Sequence, residues 1–424
     1  MSDEKVFALI DANTFYVSCH TLFEPRLEGQ AVAVLSANDG NVVAVSPRAK
    51  CMGVRRGMAA YHLRGWRAQG RLTVFSSTWA LYADLSQRVV EVLMRFADIE
   101  MYSIDESFAD LSMYPVAERV KVAQAMCEAV ARWTGIAVAV GIGPTKTIAK
   151  LANTLVKRKR ERVYDLATDP YERERLYAGI TVDDVWGIGA RTAQKLYQAG
   201  VYSVRQLIHL PDAQVRQMLG VRGLRTTWEL RGVPLFSLTQ GPASPKSISR
   251  ARVFGRPAHE GELKEAVAVF VTRACEKVQR NHLAASAISV SLSTNTFRKR
   301  EPQHSAACLI ELQAPTNSTR LLSQAARDAL ARIVREGYAY HRLGVLLLGL
   351  VPEEPVQGSL FLSQEEQARE RRIMTAIQKI NARYGRDTIF LGTVGFTPHA
   401  WRQRAENCSP RWTTRWREIP VVQA

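Results

Sequence analysis

The sequence predicts a multidomain protein of the mixed α/β class, and three observations carry that reading. Up to residue 170, strand-like apolar runs alternate with helical patterns in the order β, insertion, α, β-β, α, β, α. Residues 171–232 then carry helical patterns alone. Residues 248–350 return to a mixture, β-α-β-β-α-β, which is a ferredoxin-like or split-βαβ layout. A chain of 424 residues has room for two to four such domains.

Val6-Phe7-Ala8-Leu9-Ile10 ends at Asp11 and shows no polar alternation, so this first strand is expected to be buried on both faces. Ala12 to Cys19 leave the sheet through the pair Phe15-Tyr16. Residues 31–35 and 42–46 read as a small hairpin around Asn38-Asp39-Gly40, a strong turn signal. A basic helical stretch with Arg48, Lys50, Arg55 and Arg56 completes a compact insertion. In residues 79–96, Leu81, Leu85, Val89, Val92 and Phe96 share one helical face. A strand pair around 99–111 carries Asp105-Glu106. A second amphipathic helix spans 116–133, and Gly135 suits its end. Residues 136–142 return to strand. Pro144 and Thr145 then open a helix that finishes in Lys157-Arg158-Lys159-Arg160. The expected domain has its helices on one side of a sheet.

The helical region contains Trp186-Gly187-Ile188-Gly189, followed by Thr192-Ala193. Residues 233–247 are rich in Pro, Gly and Ser and read as a linker. Beyond it come a strand at 248–254, a helix at 261–280, strands at 286–294 and 306–312, a helix at 319–336 and a strand at 343–350. Asn317-Ser318 are good caps for the second of these helices. Residues 352–363 are linker-like, 365–384 form a basic helix, and a loop-rich tail carries Trp401, Trp412 and Trp416.

The formal charge of +17 favours a polyanionic partner, most often nucleic acid. No stretch approaches the roughly 20 apolar residues of a membrane span, and the acidic, mixed start does not look like a signal peptide. An intracellular, cytoplasmic protein with no membrane partner is expected. The six cysteines form no CxxC unit, which argues against zinc and against a disulfide framework.

Asp11, Asp105 and Glu106 put carboxylates at the edges of strands that read as buried. Desolvating a carboxylate is costly unless it is paired or binds a metal. Hard cations such as Mg2+ take oxygen ligands of this kind. Two such ions sharing carboxylates are the usual device for phosphoryl transfer on nucleotides. Alone, Asp11 is a strand-end turn residue and Asp105-Glu106 a polar hairpin tip. As a pair, LIDANTFY and YSIDESF are specific. Gly141-Ile142-Gly143-Pro144-Thr145-Lys146-Thr147 is not a P-loop, because Thr145 stands where Gly must precede the lysine. Gly187 and Gly189 read as a helix-hairpin-helix turn that contacts a DNA backbone. Arg250, Arg252, Arg298, Lys299 and Arg300 form a basic cluster suited to duplex phosphates.

On these motifs the chain resembles the Y-family translesion DNA polymerases over roughly residues 6–350. The resemblance implies a right-hand fold. Palm would be 1–24 and 75–170, fingers 25–74, and thumb 171–232 with its helix-hairpin-helix. A linker at 233–247 would lead to a little finger at 248–350 and a C-terminal tail at 351–424. It implies two Mg2+ ions on Asp11, Asp105, Glu106 and the backbone carbonyl of Ala12. Phe15 and Tyr16 would be nucleotide-pocket aromatics, with Tyr16 the steric gate that rejects a ribose 2′-OH. Lys50 and Lys157 would contact the incoming dNTP. Many relatives carry Tyr and Arg where this chain has Pro47 and Lys50, and Lys lacks the bidentate clasp of Arg. Gln357-Gly358-Ser359-Leu360-Phe361 resembles the peptide that binds the bacterial β sliding clamp, with Gln357 at the rim and Leu360 and Phe361 as anchors.

Leu391 to Thr397 and Ser409 to Arg415 resemble the C-terminal region of the UmuC type. That likeness implies primer-template DNA, a processed UmuD-type dimer and a RecA filament as partners, and a nucleoid-associated place in the cytoplasm. The expected function is error-prone, DNA-templated DNA synthesis in SOS mutagenesis and lesion bypass. Two rivals stand beside it: a non-catalytic DNA-binding scaffold that recruits clamp and repair partners, and another palm enzyme such as a nucleotide cyclase.

Overall fold

In the computed structural model, which describes residues 5–239, 241, 244–353, 364–385, 388–390, 392 and 405–419, the first apolar run forms β1 (Phe7–Ala12), buried at every position. The chain divides into two compact units, Met1–Pro242 with Ala405–Ala424, and Ala243–Arg404.

In the first unit β1 is followed by α1 (Phe15–Thr21), β2 (Val32–Leu35), β3 (Val42–Val45), α2 (Pro47–Cys51), α3 (Arg64–Ala68) and β4 (Thr73–Ser76). Then come α4 (Trp79–Leu93), β5 (Ile99–Met101), β6 (Glu106–Asp110), α5 (Val116–Thr134), β7 (Val138–Gly143), α6 (Lys146–Lys159) and β8 (Val163–Asp165). Four helices follow: α7 (Pro170–Tyr177), α8 (Ala190–Gln198), α9 (Val204–Ile208) and α10 (Asp212–Leu230).

The main sheet runs β5-β6-β1-β7-β8, with β1 antiparallel to both β6 and β7. Helices cover both of its faces rather than one. Ala8, Ile10, Val138 and Val140 pack with Leu85 and Val89 of α4 and with Met126 and Val130 of α5. Phe7 and Leu9 point the other way and pack with Phe108 and with Ala149 of α6. A strand buried at every residue requires cover on both sides, so the one-sided expectation contradicts the burial expected of β1. The short β8, parallel to β7, was absent from the sequence reading.

Two glycines set how closely α6 approaches. A Cβ on Gly141 would lie 2.2 Å from the Asn153 backbone nitrogen and 2.4 Å from the Ala149 carbonyl oxygen. One on Gly143 would lie 2.6 Å from the Ala149 nitrogen. The Gly-Ile-Gly segment therefore lets a helix backbone touch a strand.

β2 and β3 pair antiparallel as expected. The turn differs: Asn38 (φ 62°) and Asp39 (φ 49°) take the left-handed conformation, while Gly40 does not. The hairpin is also incomplete by itself, because β4 pairs parallel to β2 and closes a three-stranded sheet. Residues 233–239 are tied down. Lys146 Nζ donates to the Ser237 carbonyl at 2.8 Å, the Thr239 amide donates to Glu100 at 2.6 Å, and Leu238 packs against the Phe7 cluster.

The second unit contains β9 (Ser247–Ala258), α11 (Glu260–Arg280), β10 (Leu283–Thr294), β11 (Ser305–Thr316), α12 (Thr319–Ile333) and β12 (Tyr340–Pro352), then α13 (Gln364–Tyr384). The βαββαβ order matches the expectation. Its sheet runs β11-β10-β12-β9, all antiparallel. Val267 and Phe270 of α11 and Leu322 and Leu330 of α12 form one core with Ile288, Val290, Leu343 and Val345.

Gln357, Leu360, Phe361 and Trp401 lie outside the described residues, as does Leu391–Thr397 apart from Gly392. Among the described residues no helix is long and apolar enough to cross a membrane.

Candidate active site

The pairing of β1 with β6 sets Asp11 directly opposite Glu106. Asp105 precedes β6 in the turn, and its carbonyl accepts the Ala12 amide at 2.8 Å. Ser103 organises that turn: its Oγ donates to Asp105 Oδ1 at 2.6 Å and accepts the Glu106 amide at 3.0 Å. Asp11 is only 8% exposed. Burial raises its carboxyl pKa above the ordinary value; Lys157 opposes the rise, and the charges of Glu106 and Asp105 add to it. The three acids therefore share one electrostatic neighbourhood.

Their side chains have separate partners. Lys157 Nζ donates to Asp11 Oδ2 at 2.7 Å, and Lys150 Nζ donates to Glu106 Oε2 at 2.7 Å. Among the described residues no three His, Cys, Asp or Glu side chains converge on a common metal position. The donors are nonetheless all oxygen, and mutual repulsion marks them as a site for positive charge. That chemistry fits a hard divalent cation.

Both lysines come from one face of α6, where positions 146, 150, 153 and 157 follow helical spacing. Lys146 pairs with Glu100. Asn153 Nδ2 donates to the carbonyls of Leu9 (3.2 Å) and Ala139 (3.1 Å), which fixes α6 against β1 and β7. Lys150 also lies 4.8 Å over the Tyr102 ring and 5.6 Å over that of Trp186. Sequence reading picked out Lys157 and missed Lys146, Lys150 and Asn153. The signal was present, since the lysines recur four and seven residues apart.

Phe15 is buried and Tyr16 half-buried on α1, which turns off β1 at Thr14 with φ 46°. The Tyr16 ring stacks on Tyr82 at 4.4 Å and meets the edge of Trp79 at 5.8 Å. Burial, and then the charge of Asp105, raise the Tyr16 phenol pKa, while Arg56 opposes them. The ring thus stands within the field of the acidic turn. Lys50 is exposed near the end of α2, and no described ion pair links it to the carboxylates. Pro47 occupies the first turn of α2, where its missing N–H costs nothing.

Gly187 has φ 86°, a conformation only glycine adopts freely, and Gly189 is the N-cap of α8. Neighbouring Trp186 donates from Nε1 to the Tyr102 hydroxyl at 3.1 Å, tying this turn to the acidic hairpin. Glu229 in α10 is fully buried. It accepts the Thr147 amide at the start of α6 at 3.0 Å, and the Leu235 and Phe236 amides at 2.7 and 3.0 Å. The sequence showed Trp186 only as the head of the glycine turn and did not single out Glu229, because their partners are remote in the chain.

In the second unit Arg250 and Arg252 are exposed on the edge strand β9. Arg298, Lys299 and Arg300 lie in the turn between β10 and β11, and Arg298 pairs with Glu301 at 2.8 Å.

Residues 10–154 match the impB/mucB/samB family, residues 245–360 match the C-terminal domain of that family, and residues 371–422 match a domain of unknown function. Protein ImpB of Salmonella typhimurium is 34% identical over 424 residues, 99% of this chain and 100% of its own length. Protein UmuC of Salmonella typhimurium strain LT2 shows the same identity and coverage. A solved Y-family DNA polymerase chimera aligns with a TM-score of 0.67 at 18% identity, over 82% of this chain and 99% of that one, and so shares the fold.

Proposed function

Because the chain belongs to the impB/mucB/samB family, and is thus a DNA-directed DNA polymerase of the UmuC-type Y-family, we propose that it performs error-prone translesion synthesis by metal-assisted nucleotidyl transfer at the carboxylates of β1 and β6. The observation that carries this reading is the β1–β6 register, which sets Asp11 opposite Glu106 with Asp105 in the adjoining turn.

The primer 3′-OH attacks the α-phosphorus of a dNTP, a new P–O bond forms, and the bond to the pyrophosphate leaving group breaks. Asp11, Asp105, Glu106 and the Ala12 carbonyl would hold two Mg2+ ions. When bound, these ions neutralise triphosphate charge and lower the pKa of the attacking hydroxyl. Lys157 and Lys150, already turned toward this neighbourhood from α6, supply positive charge for phosphate oxygens. Lys50 contributes from the surface of α2. Tyr16, stacked on Tyr82 with Phe15 beside it, fills the space a ribose 2′-OH would need.

Gly187, Gly189 and the basic residues Arg250, Arg252, Arg298, Lys299 and Arg300 would hold primer-template DNA by its phosphates. Gln357, Leu360 and Phe361 would engage the β sliding clamp. A processed UmuD-type dimer and a RecA filament would complete the assembly on the nucleoid.

Primer extension with the full-length chain, its accessory proteins, Mg2+ and dNTPs tests this. Asp105→Asn is expected to lose about 100-fold or more of the wild-type rate. Equal extension by the variant removes Asp105 from the mechanism. A wild-type chain that binds DNA yet never extends a primer is a scaffold instead.

A further inference from the structure

The described end of the chain, residues 405–419, belongs to the first unit although the second unit precedes it in sequence. It meets the edge strand β4 of the three-stranded sheet at its last residue, Ser76. The Ser76 amide at the end of β4 donates to the Asn407 carbonyl at 2.8 Å, and the Asn407 amide donates to Ser76 Oγ at 3.0 Å. The Glu406 amide donates to Asp39 Oδ2 at 2.9 Å, and Arg67 bonds to the Asn407 side chain. The described segment adds no strand to the sheet; it is held at the end of β4 by the one backbone hydrogen bond from Ser76 and by side chains.

This anchorage seats one large side chain. Trp412 is 6% exposed and is part of the main core of the first unit. Its ring stacks on Phe23 at 4.8 Å and meets His20 edge-on at 6.1 Å. His20 is fully buried, and burial pushes its pKa down to about 4. The imidazole also stacks on Phe75 at 4.2 Å. His20 Nε2 and the Tyr82 hydroxyl are hydrogen-bonded at 2.8 Å. Tyr82 in turn carries the stacked Tyr16 ring. The contacts form an unbroken series, Trp412 to His20 to Tyr82 to Tyr16, from the tail to the nucleotide pocket.

We propose that the tail is a positioning element of the polymerase site: Trp412, seated behind His20, fixes Tyr82 and through it the Tyr16 gate, so that sugar discrimination depends on tail docking. The inference rests on the gate reading of Tyr16. Trp412 touches no part of the carboxylate site and acts only through the intervening rings. Without its indole, water reaches the His20–Phe23 seam, and the His20–Tyr82 hydrogen bond has competitors. The Tyr16 ring then samples more positions, and the space denied to a 2′-OH is denied less strictly. The segment lies within the stretch matched by a domain of unknown function, so the role assigned here is specific to residues 405–419.

The test compares incorporation of dNTP and the matching rNTP by the full-length protein and reads the ratio of the two kcat/KM values. A ratio is insensitive to the fraction of molecules that fold, so a general loss of stability does not move it. Trp412→Ala is expected to lower discrimination roughly two- to tenfold, the span one aromatic contact commands. Trp412→Phe, which keeps the stack on Phe23, is expected to restore most of it. Tyr16→Ala serves as the reference and should lower discrimination further. An unchanged ratio in Trp412→Ala beside a reduced one in Tyr16→Ala overturns the role of the tail alone. An unchanged ratio in Tyr16→Ala overturns the gate reading and this inference with it.

Discussion

Asp11 works against the fold that holds it. Its carboxyl pKa is raised by burial, so the protonated form is favoured in the folded chain. A group raised in this way contributes stability below its unfolded pKa and loses that contribution as pH rises through the folded value. Asp11→Asn is therefore expected to be more stable than wild type near neutral pH, with the gap narrowing as pH falls toward about 4. Lys157 is half exposed, so the loss of its partner costs little. Urea unfolding across that pH range measures the gap, and a variant less stable at neutral pH would contradict the account. At this scale the sequence was informative wherever a residue's meaning came from its neighbours. Asp11 beside Phe15-Tyr16, and Asp105 beside Glu106, were legible for that reason. Lys150 and Glu229 were not, because each takes its meaning from a partner in another element.

The element on which the site depends is α6. It brings Lys150 and Lys157 to the acids, and Lys146 to Glu100, only because Gly141 and Gly143 let it lie against β7. A methyl group at Gly141 meets backbone on the helix side, and backbone cannot swing away as a side-chain tip can. Gly141→Ala is expected to cost roughly 3 kcal/mol, the upper part of the range for overpacking. A denaturant midpoint measures this, and a loss below about 1 kcal/mol would show that α6 can retreat without penalty. The long helices and the buried β1 were legible from periodicity and unbroken apolar character. β4 and β8 were not. Each is three or four residues long and pairs parallel across a crossover, β4 with β2 and β8 with β7, so no tight turn announces it. The cover on the second face of the sheet was missed likewise, since Lys-rich α6 reads as a solvated helix until its packing is seen.

For the whole molecule, charge is the most general property. A formal +17 on a DNA polymerase implies binding driven in large part by counterion release. With about four phosphate contacts, affinity for primer-template DNA is expected to fall about 100-fold between roughly 50 and 200 mM salt. Fluorescence anisotropy across that range reads the slope, and a nearly flat response would mean that the basic residues do not face phosphates. The order of regions was legible because each has its own periodicity: mixed, helical, then βαββαβ. The destination of the tail was not, because a tryptophan in a loop-rich segment gives no sign of which core receives it.

The docked tail has one more consequence, and it concerns insertions. Since the first unit comprises Met1–Pro242 and Ala405–Ala424, the second unit, with its own core, is an insertion into it. The entropy of closing a loop grows only with the logarithm of its length, about 0.6 kcal/mol for each doubling. Residues added to a surface turn of the second unit, such as that between β10 and β11, therefore cost only the closure of that turn, and the protein can gain length there while keeping Asn407 and Trp412 in place.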